Sequence, residues 1–457
     1  MTKQPTSRLS SFFALEAHAS NLRREILGGV TTFLAMSYII FVNPGVLSQA
    51  GMDFGSVMAA TCVAAAASTF LMALLANYPV ALAPGMGENF FFVYTLCGAV
   101  PLGFGMTWRQ ALAAVLIAGL FFVALTLSGI RAQIINSIPA SLKSGIAAGI
   151  GLFVTLIGLE YGNLVVASPS TLVRLGNLHE PVTLVSAAGL LLVIALLAYR
   201  VRGAILLGIL GSTALAAAFG MVHYQGILSL HFRLAPTFWQ PDFRGLIALP
   251  PARLGAAIFV LLYLALFDTI GTLVGVGQQA GLLREGRLPR ADRALFADAV
   301  GTTLGAALGT STVTCYVESA AGVADGARTG LASMVTGTLL LFATFFSPLA
   351  ATIGGGVPAG AGPDGPILRY PTLAPALIVV GAMMLKVVRD VPWDDPTEYI
   401  PAFLTLVGIP LTFSIADGIA LGLISYSVGK LVTGRWRECP VLTYVFAALF
   451  VLQFALL

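Results

Sequence analysis

Apolar runs of roughly twenty residues, almost free of charge, recur from Ile26 onward, and each is long enough to cross the hydrocarbon of a bilayer as one helix. Backbone polar groups inside lipid must be satisfied within the chain, so the expected fold is an all-α polytopic membrane bundle. Composition points the same way. Over 457 residues the chain is 58% hydrophobic and 10% charged, with mean hydropathy +0.92. About a quarter of the residues are charged in a soluble domain. The net charge of +4 is too small to suggest a nucleic-acid partner. Residues 1–25 are polar, with no short apolar run and small-residue cleavage site, so the first long run is expected to stay as a span.

Apolar runs place spans near 26–43, 56–76, 107–128, 143–159, 182–199 and 203–222, then near 254–280, 294–308, 329–350, 371–388, 398–414 and 417–433. Two further segments, 80–98 and 311–324, are shorter and broken, and a last apolar run covers 441–457. With the N-terminus in the cytoplasm and both broken segments crossing, only Arg109, Arg174, Arg233, Arg244, Arg253 and Arg369 fall outside. The other eighteen of the 24 Lys and Arg fall inside. Dropping either broken segment destroys this bias. The location expected is the inner membrane, multi-pass, with 441–457 as an extra C-terminal span.

The two halves share one pattern, with the broken segment third in each. Seven spans per half put the second half on the opposite side, so a 7+7 inverted repeat of 14 segments is expected. Pro79 and Pro84 disfavour regular helix in the first broken segment. Thr312, Val313 and Thr314 favour extended backbone in the second. Unwound backbone at membrane depth is tolerated where protein covers it or a cavity adjoins it. Two short strands facing each other, each feeding a half-helix, meet that condition.

Asp268 lies in the middle of an apolar run, and Glu88 and Glu318 lie in the broken segments. A charge at the bilayer centre costs about 2.5–3.5 kcal/mol on insertion scales. At least one of the three is therefore expected to exchange a proton near neutral pH. The four histidines fall outside the mapped spans, so proton coupling must rest on carboxylates. On a helix Asp268, Gly271, Thr272 and Gly275 share a face suited to a flat ligand close to the backbone. Each acid also has a plainer reading. Asp268 would be satisfied by interhelical hydrogen bonds, Glu318 would be an N-cap or first-turn acid stabilised by the half-helix dipole, and Glu88 would face a wet vestibule. Asp298 and Asp417, nearer helix ends, read as structural. Phe90, Phe91 and Phe92 offer a stacking face for a planar heterocycle, with ordinary packing the alternative for at least two. Tyr316 is near the same place. Cys62, Cys97, Cys315 and Cys439 are far apart and read as small buried residues. No phosphate-binding Gly-rich loop with Lys suggests ATP drive. No nucleophile–base or metal-ligand cluster suggests an enzyme, and no cofactor is expected.

The run from Asn21 to Pro44 resembles the first helix of AzgA-like adenine/guanine/hypoxanthine permeases, a branch of the nucleobase/ascorbate transporter superfamily. Four other stretches are similar to the same family: Ala83–Gly87, Phe267–Thr272, Tyr316–Val323 and Ile415–Ile419. The resemblance implies a fourteen-helix fold of core and gate domains, often dimeric, importing a purine base with protons. Core halves would be 26–138 and 254–351, gate halves 139–253 and 352–437, and 438–457 an additional apolar helix. It also implies that Asp268 and Glu318 hold the base, with Gly87 and Asn89 from the third element. Thr272, Phe90, Phe91 and Tyr316 complete the expected lining, and Asp268, Glu318 and Glu88 the proton-handling set. The chain departs from the family pattern at Glu88 and Phe90, where apolar and small residues are usual. A same-fold carrier of another planar or anionic solute, such as xanthine or uracil, is the alternative, and a channel a weaker one.

Overall fold

The computed structural model describes residues 8–99, 103–128, 139–168, 170–230, 234–282, 288–362 and 365–456. Among them, eight helical stretches are long and apolar enough to cross a membrane, making this a multi-pass membrane protein. In chain order the helices are α1 (Leu22–Met36), α2 (Ile39–Leu47) and α3 (Phe54–Leu71). Strand β1 (Leu82–Pro84) and short helix α4 (Met86–Phe90) follow, the latter continuing as a π-helical turn over Phe91–Leu96. Next come α5 (Trp108–Leu127), α6 (Ala140–Tyr161), strands β2 (Val165–Ser168) and β3 (Leu172–Leu175), α7 (Pro181–Ala198) and α8 (Ala204–Ala218). The second half holds α9 (Pro251–Gln279), α10 (Ala291–Leu308), strand β4 (Val313–Cys315), α11 (Ser319–Ala324), α12 (Gly330–Ala343) and α13 (Ser347–Gly354). Strands β5 (Val357–Gly362) and β6 (Gly365–Arg369) precede α14 (Ala374–Met384), α15 (Pro396–Thr412), α16 (Ile415–Val432) and α17 (Val441–Leu456).

The expected spans coincide with these helices to within a few residues. The first span is interrupted: α1 and α2 meet at Ser37 and Tyr38. Two features were not expected. Hairpins β2–β3 and β5–β6 cap the connections after α6 and α13, so the fold is not wholly helical outside the broken segments. Helix starts follow their sequence signals. At α5, Thr107 accepts from the Gln110 backbone at 3.3 Å while the Gln110 side chain accepts from Thr107 at 2.8 Å, a reciprocal cap.

The ends of α6, α15 and α16 and the turn before α17 are tied by a charge network. Lys430, wholly buried, pairs with Glu398 at 2.7 Å and Glu438 at 3.0 Å. Glu398 also accepts from Ser141 at 2.5 Å and Tyr426 at 3.1 Å. Removing one partner of a buried pair strands the other, at a cost of about 3–5 kcal/mol. A Lys430→Met protein is therefore expected to melt well below the native one. Adding Glu398→Gln should recover part of the loss, because the stranded charge goes. Unchanged melting of the single variant would refute this role.

Candidate functional site

The two broken segments meet and pair. Strand β1 runs antiparallel to β4, with Leu82 opposite Cys315, Ala83 opposite Thr314 and Pro84 opposite Val313. Hydrogen bonds from Gly85 N–H to Thr312 O and from Tyr316 N–H to Ala81 O, both 2.9 Å, extend the ladder past each end. Tyr316 also donates its hydroxyl to Pro84 O at 2.6 Å. All six strand residues are buried, so the unwound backbone is protein-covered, as lipid depth demands. Each strand feeds a short helix, α4 or α11, starting at the crossing.

This geometry gathers the acids that the sequence scattered. Asp268, in mid-α9, lies within electrostatic reach of Asp298, Glu318 and Glu88. Glu318 occupies the N-cap position of α11 but makes no cap hydrogen bond. It accepts instead from the Tyr38 hydroxyl, at 2.7 Å. Glu318 is therefore held at the helix start, where the helix dipole favours an acid, by a side chain 280 residues away. Glu88 is 2% exposed, and its Oε1 has no hydrogen-bond partner among the described residues. No ion pair among the described residues involves Glu88, Asp268 or Glu318. Buried orphan atoms are rare in native proteins and mark places for a ligand or water. Two more, Thr312 Oγ1 and Asn43 Oδ1, belong to the same neighbourhood: Thr312 adjoins β4, and Asn43 donates to Thr310 at 2.9 Å.

Asn89 is fully buried; its Oδ1 accepts from Ser311 across the crossing, while its Nδ2 meets only the Met86 sulfur, at 3.8 Å. A strong amide donor is thus spent on a weak acceptor. Gly87 packs toward α6, where a Cβ would lie 2.9 Å from Ile150 Cγ2. Thr272 is buried beside Asp268, whereas Gly271 and Gly275 face open space, so the expected four-residue face is divided. Asp298 is fully buried and accepts from Thr269 at 2.6 Å; Thr269 in turn meets Thr314 Oγ1 at 2.9 Å. That chain anchors α9 and α10 to β4, in keeping with a structural Asp298. Asp417 sits in the first turn of α16, where its backbone N–H donates to the N-cap Ser414 at 3.2 Å.

Phe90, Phe91 and Phe92 are all fully buried, and among the described residues Phe90 is the one that turns to a facing aromatic cluster. It stacks on Tyr94 with centroids 6.1 Å apart and meets Phe153 of α6 edge-on at 6.0 Å. Phe413, after α15, closes the group at 5.4 Å from Phe153. Tyr38, Ser311, Phe153 and Phe413 were not singled out by the sequence. Tyr38 alone left a trace there, as a hydroxyl breaking a long apolar run. Beyond the aromatics lies a cavity of about 1050 Å³, lined among others by Gln49, Tyr94, Tyr161 and Arg369. None of the three carboxylates lines it.

A model of the Permease family matches residues 23–421. The chain is 48% identical to a putative permease of Methanocaldococcus jannaschii, covering 98% of each. It is 43% identical to the guanine/hypoxanthine permease PbuG of Bacillus subtilis, over 98% of this chain and all of that one. It is 40% identical to the adenine permease AdeQ of Escherichia coli, over 98% and 96%. Among solved structures, the transmembrane domain of the cyanobacterial bicarbonate transporter BicA superposes with TM-score 0.64 at 18% identity, covering 87% of this chain and 97% of that one. The last likeness speaks to fold alone.

Proposed function

The chain belongs to the Permease family, and so is a membrane transporter and not an enzyme; from that premise we propose that it imports a purine nucleobase together with protons. The observation that carries this reading is the crossing of β1 and β4, which sets Asp268, Glu318 and Glu88 around unpartnered buried polar atoms. A purine presents ring N–H donors and carbonyl or ring-nitrogen acceptors on the edge of a flat apolar ring. Carboxylates Asp268 and Glu318 take the donors. The Asn89 amide, with a donor spent only on sulfur, takes an acceptor. Phe90 and Tyr316 bound the ring faces, and Thr272 and Gly87 complete the wall. An anionic solute is disfavoured by three carboxylates with no paired cation among the described residues.

The remaining architecture follows from the same reading. Fourteen segments form two inverted repeats of seven, with the N-terminus cytoplasmic in the inner membrane and α17 as a further span. Core halves 26–138 and 254–351 carry the site; gate halves 139–253 and 352–437 form the rail, in a protein that can pair as a homodimer. The core slides against the gate once a proton neutralises one acid of the cluster, since moving a bare charge through the bilayer centre is costly.

The test is uptake of labelled adenine, guanine and hypoxanthine with and without a proton ionophore. Accumulation of at least one base is expected, and collapse of the gradient should abolish it. Uptake indifferent to the ionophore would remove the coupling; no uptake of any purine would remove the substrate.

A further inference from the structure

The cavity of about 1050 Å³ lies beyond Phe90, at the end where α2 and α3 approach the end of α6 and strand β6. Small-molecule sites occupy roughly 300–1,000 Å³, so it is large enough to hold a ligand with water. Its walls combine two chemistries. Three phenol rings line it: Tyr94, Tyr161 and Tyr370. Tyr161 and Tyr370 have centroids 4.9 Å apart and planes tilted by 41°, so they pack on each other as one aromatic wall. The second is a set of hydrogen-bonding groups of both senses. Gln49 accepts from the Tyr94 hydroxyl at 2.9 Å and donates to that of Tyr161. Arg369 pairs with Glu160 at 2.9 Å through Nη1, while its Nε–H has no partner among the described residues. The Arg369 side chain is only 12% exposed, so that unspent donor belongs to the wall and not to bulk solvent.

We propose that this vestibule is a second, weaker binding site for an uncharged planar heteroaromatic solute, which captures the purine before it reaches the crossing. The claim rests on the purine reading above. A ring settles against the Tyr161–Tyr370 wall, where stacking tolerates any planar base. Its edge then exchanges hydrogen bonds with Gln49, Arg369 and Glu160, which supply both donors and acceptors. The carboxylates of Asp53 and Glu160 outnumber the single Arg369 cation on this lining, so an anion is not the fit. The vestibule also connects to the deeper site. Tyr94 forms part of its lining and stacks on Phe90, the neighbour of Asn89, so displacement of this stack opens the way inward.

The experiment separates the two sites. Native protein, purified in detergent, should bind labelled hypoxanthine or adenine tightly at the crossing; no binding at all would fail the purine reading itself. In an Asp268→Ala/Glu318→Ala protein of native melting behaviour, the crossing is disabled. Saturation-transfer NMR with adenine should still show weak contact with the base, and none with glucose, a non-planar control. Adding Tyr161→Ala and Tyr370→Ala should weaken that residual binding at least tenfold, the scale of stacking losses by alanine substitution. Arg369→Gln should weaken it less, by loss of edge hydrogen bonds alone. No adenine signal in the doubly substituted protein overturns the vestibule site. So does a signal that survives the loss of both tyrosines.

Discussion

Glu318→Ala is expected to yield a protein that reaches the membrane and binds purine bases about a hundredfold or more weakly than the native protein. The side chain is 8% exposed and accepts one hydrogen bond, from Tyr38 at 2.7 Å, leaving its other lone pairs for a ligand. A hydrogen bond to a charged group contributes about 1.5–3 kcal/mol, and an unpartnered buried donor left behind costs a further 1–3 kcal/mol. Removing the carboxylate takes that hydrogen bond from the ring N–H of the base and leaves the donor stranded in the bound state. At 1.4 kcal/mol per decade, the combined loss is about a hundredfold or more in affinity. Tyr38→Phe keeps the carboxylate but frees its orientation, so it should weaken binding by about tenfold, the scale of one lost hydrogen bond. Asp268→Ala should match Glu318→Ala, because the proposed site sets both acids against the donor edge of the base. Titration calorimetry of the three variants checks the ranking. Native affinity in either alanine variant would remove the site from the crossing.

Much of this arrangement was legible because the bilayer makes polarity conspicuous. An ionisable residue within an apolar run is costly, so Asp268 stands out against Leu261–Leu266 by chemistry alone. Pro79, Pro84 and Thr312–Thr314 broadcast the two breaks, since neither residue type continues a helix well. What stayed hidden depends on distance along the chain. Tyr38 and Glu318 are brought together only by the fold, as are Asn89 and Ser311. Phe153 and Phe413 read as ordinary lipid or core residues because packing partners carry no signal of their own. The face proposed around Asp268 was divided for a related reason. Thr272 and Gly271 lie on opposite flanks of the aspartate, and the packed boundary of α9 runs between them. Helical periodicity gives the angle of a residue, not the edge of its neighbour.

The position of Glu318 depends on a helix crossing that no acid reveals. Helix α11 has only six residues, too few to hold itself, and it is pressed against α1. A Cβ on Gly28 would lie 2.6 Å from Ala327 Cβ and 2.8 Å from Gly322 O, distances that a side chain cannot occupy. From the other side, a Cβ on Gly322 would collide with Thr32 Oγ1 and Gly28 O. The two glycines thus let the backbones meet as membrane helices do through small residues. Gly28→Val inserts a branched side chain into that contact. Overpacking typically costs 1–3 kcal/mol, and α11, the shorter element, is the part that yields. A shift of about 1 Å in a positioned group can cost a hundredfold in function. Gly28→Val is therefore expected to cut purine uptake by about that factor while lowering the melting temperature only modestly. Gly255→Ala is the control, because nothing lies within 4 Å of its added Cβ, and it should transport normally. Native uptake by Gly28→Val would mean that the placement of Glu318 does not govern transport.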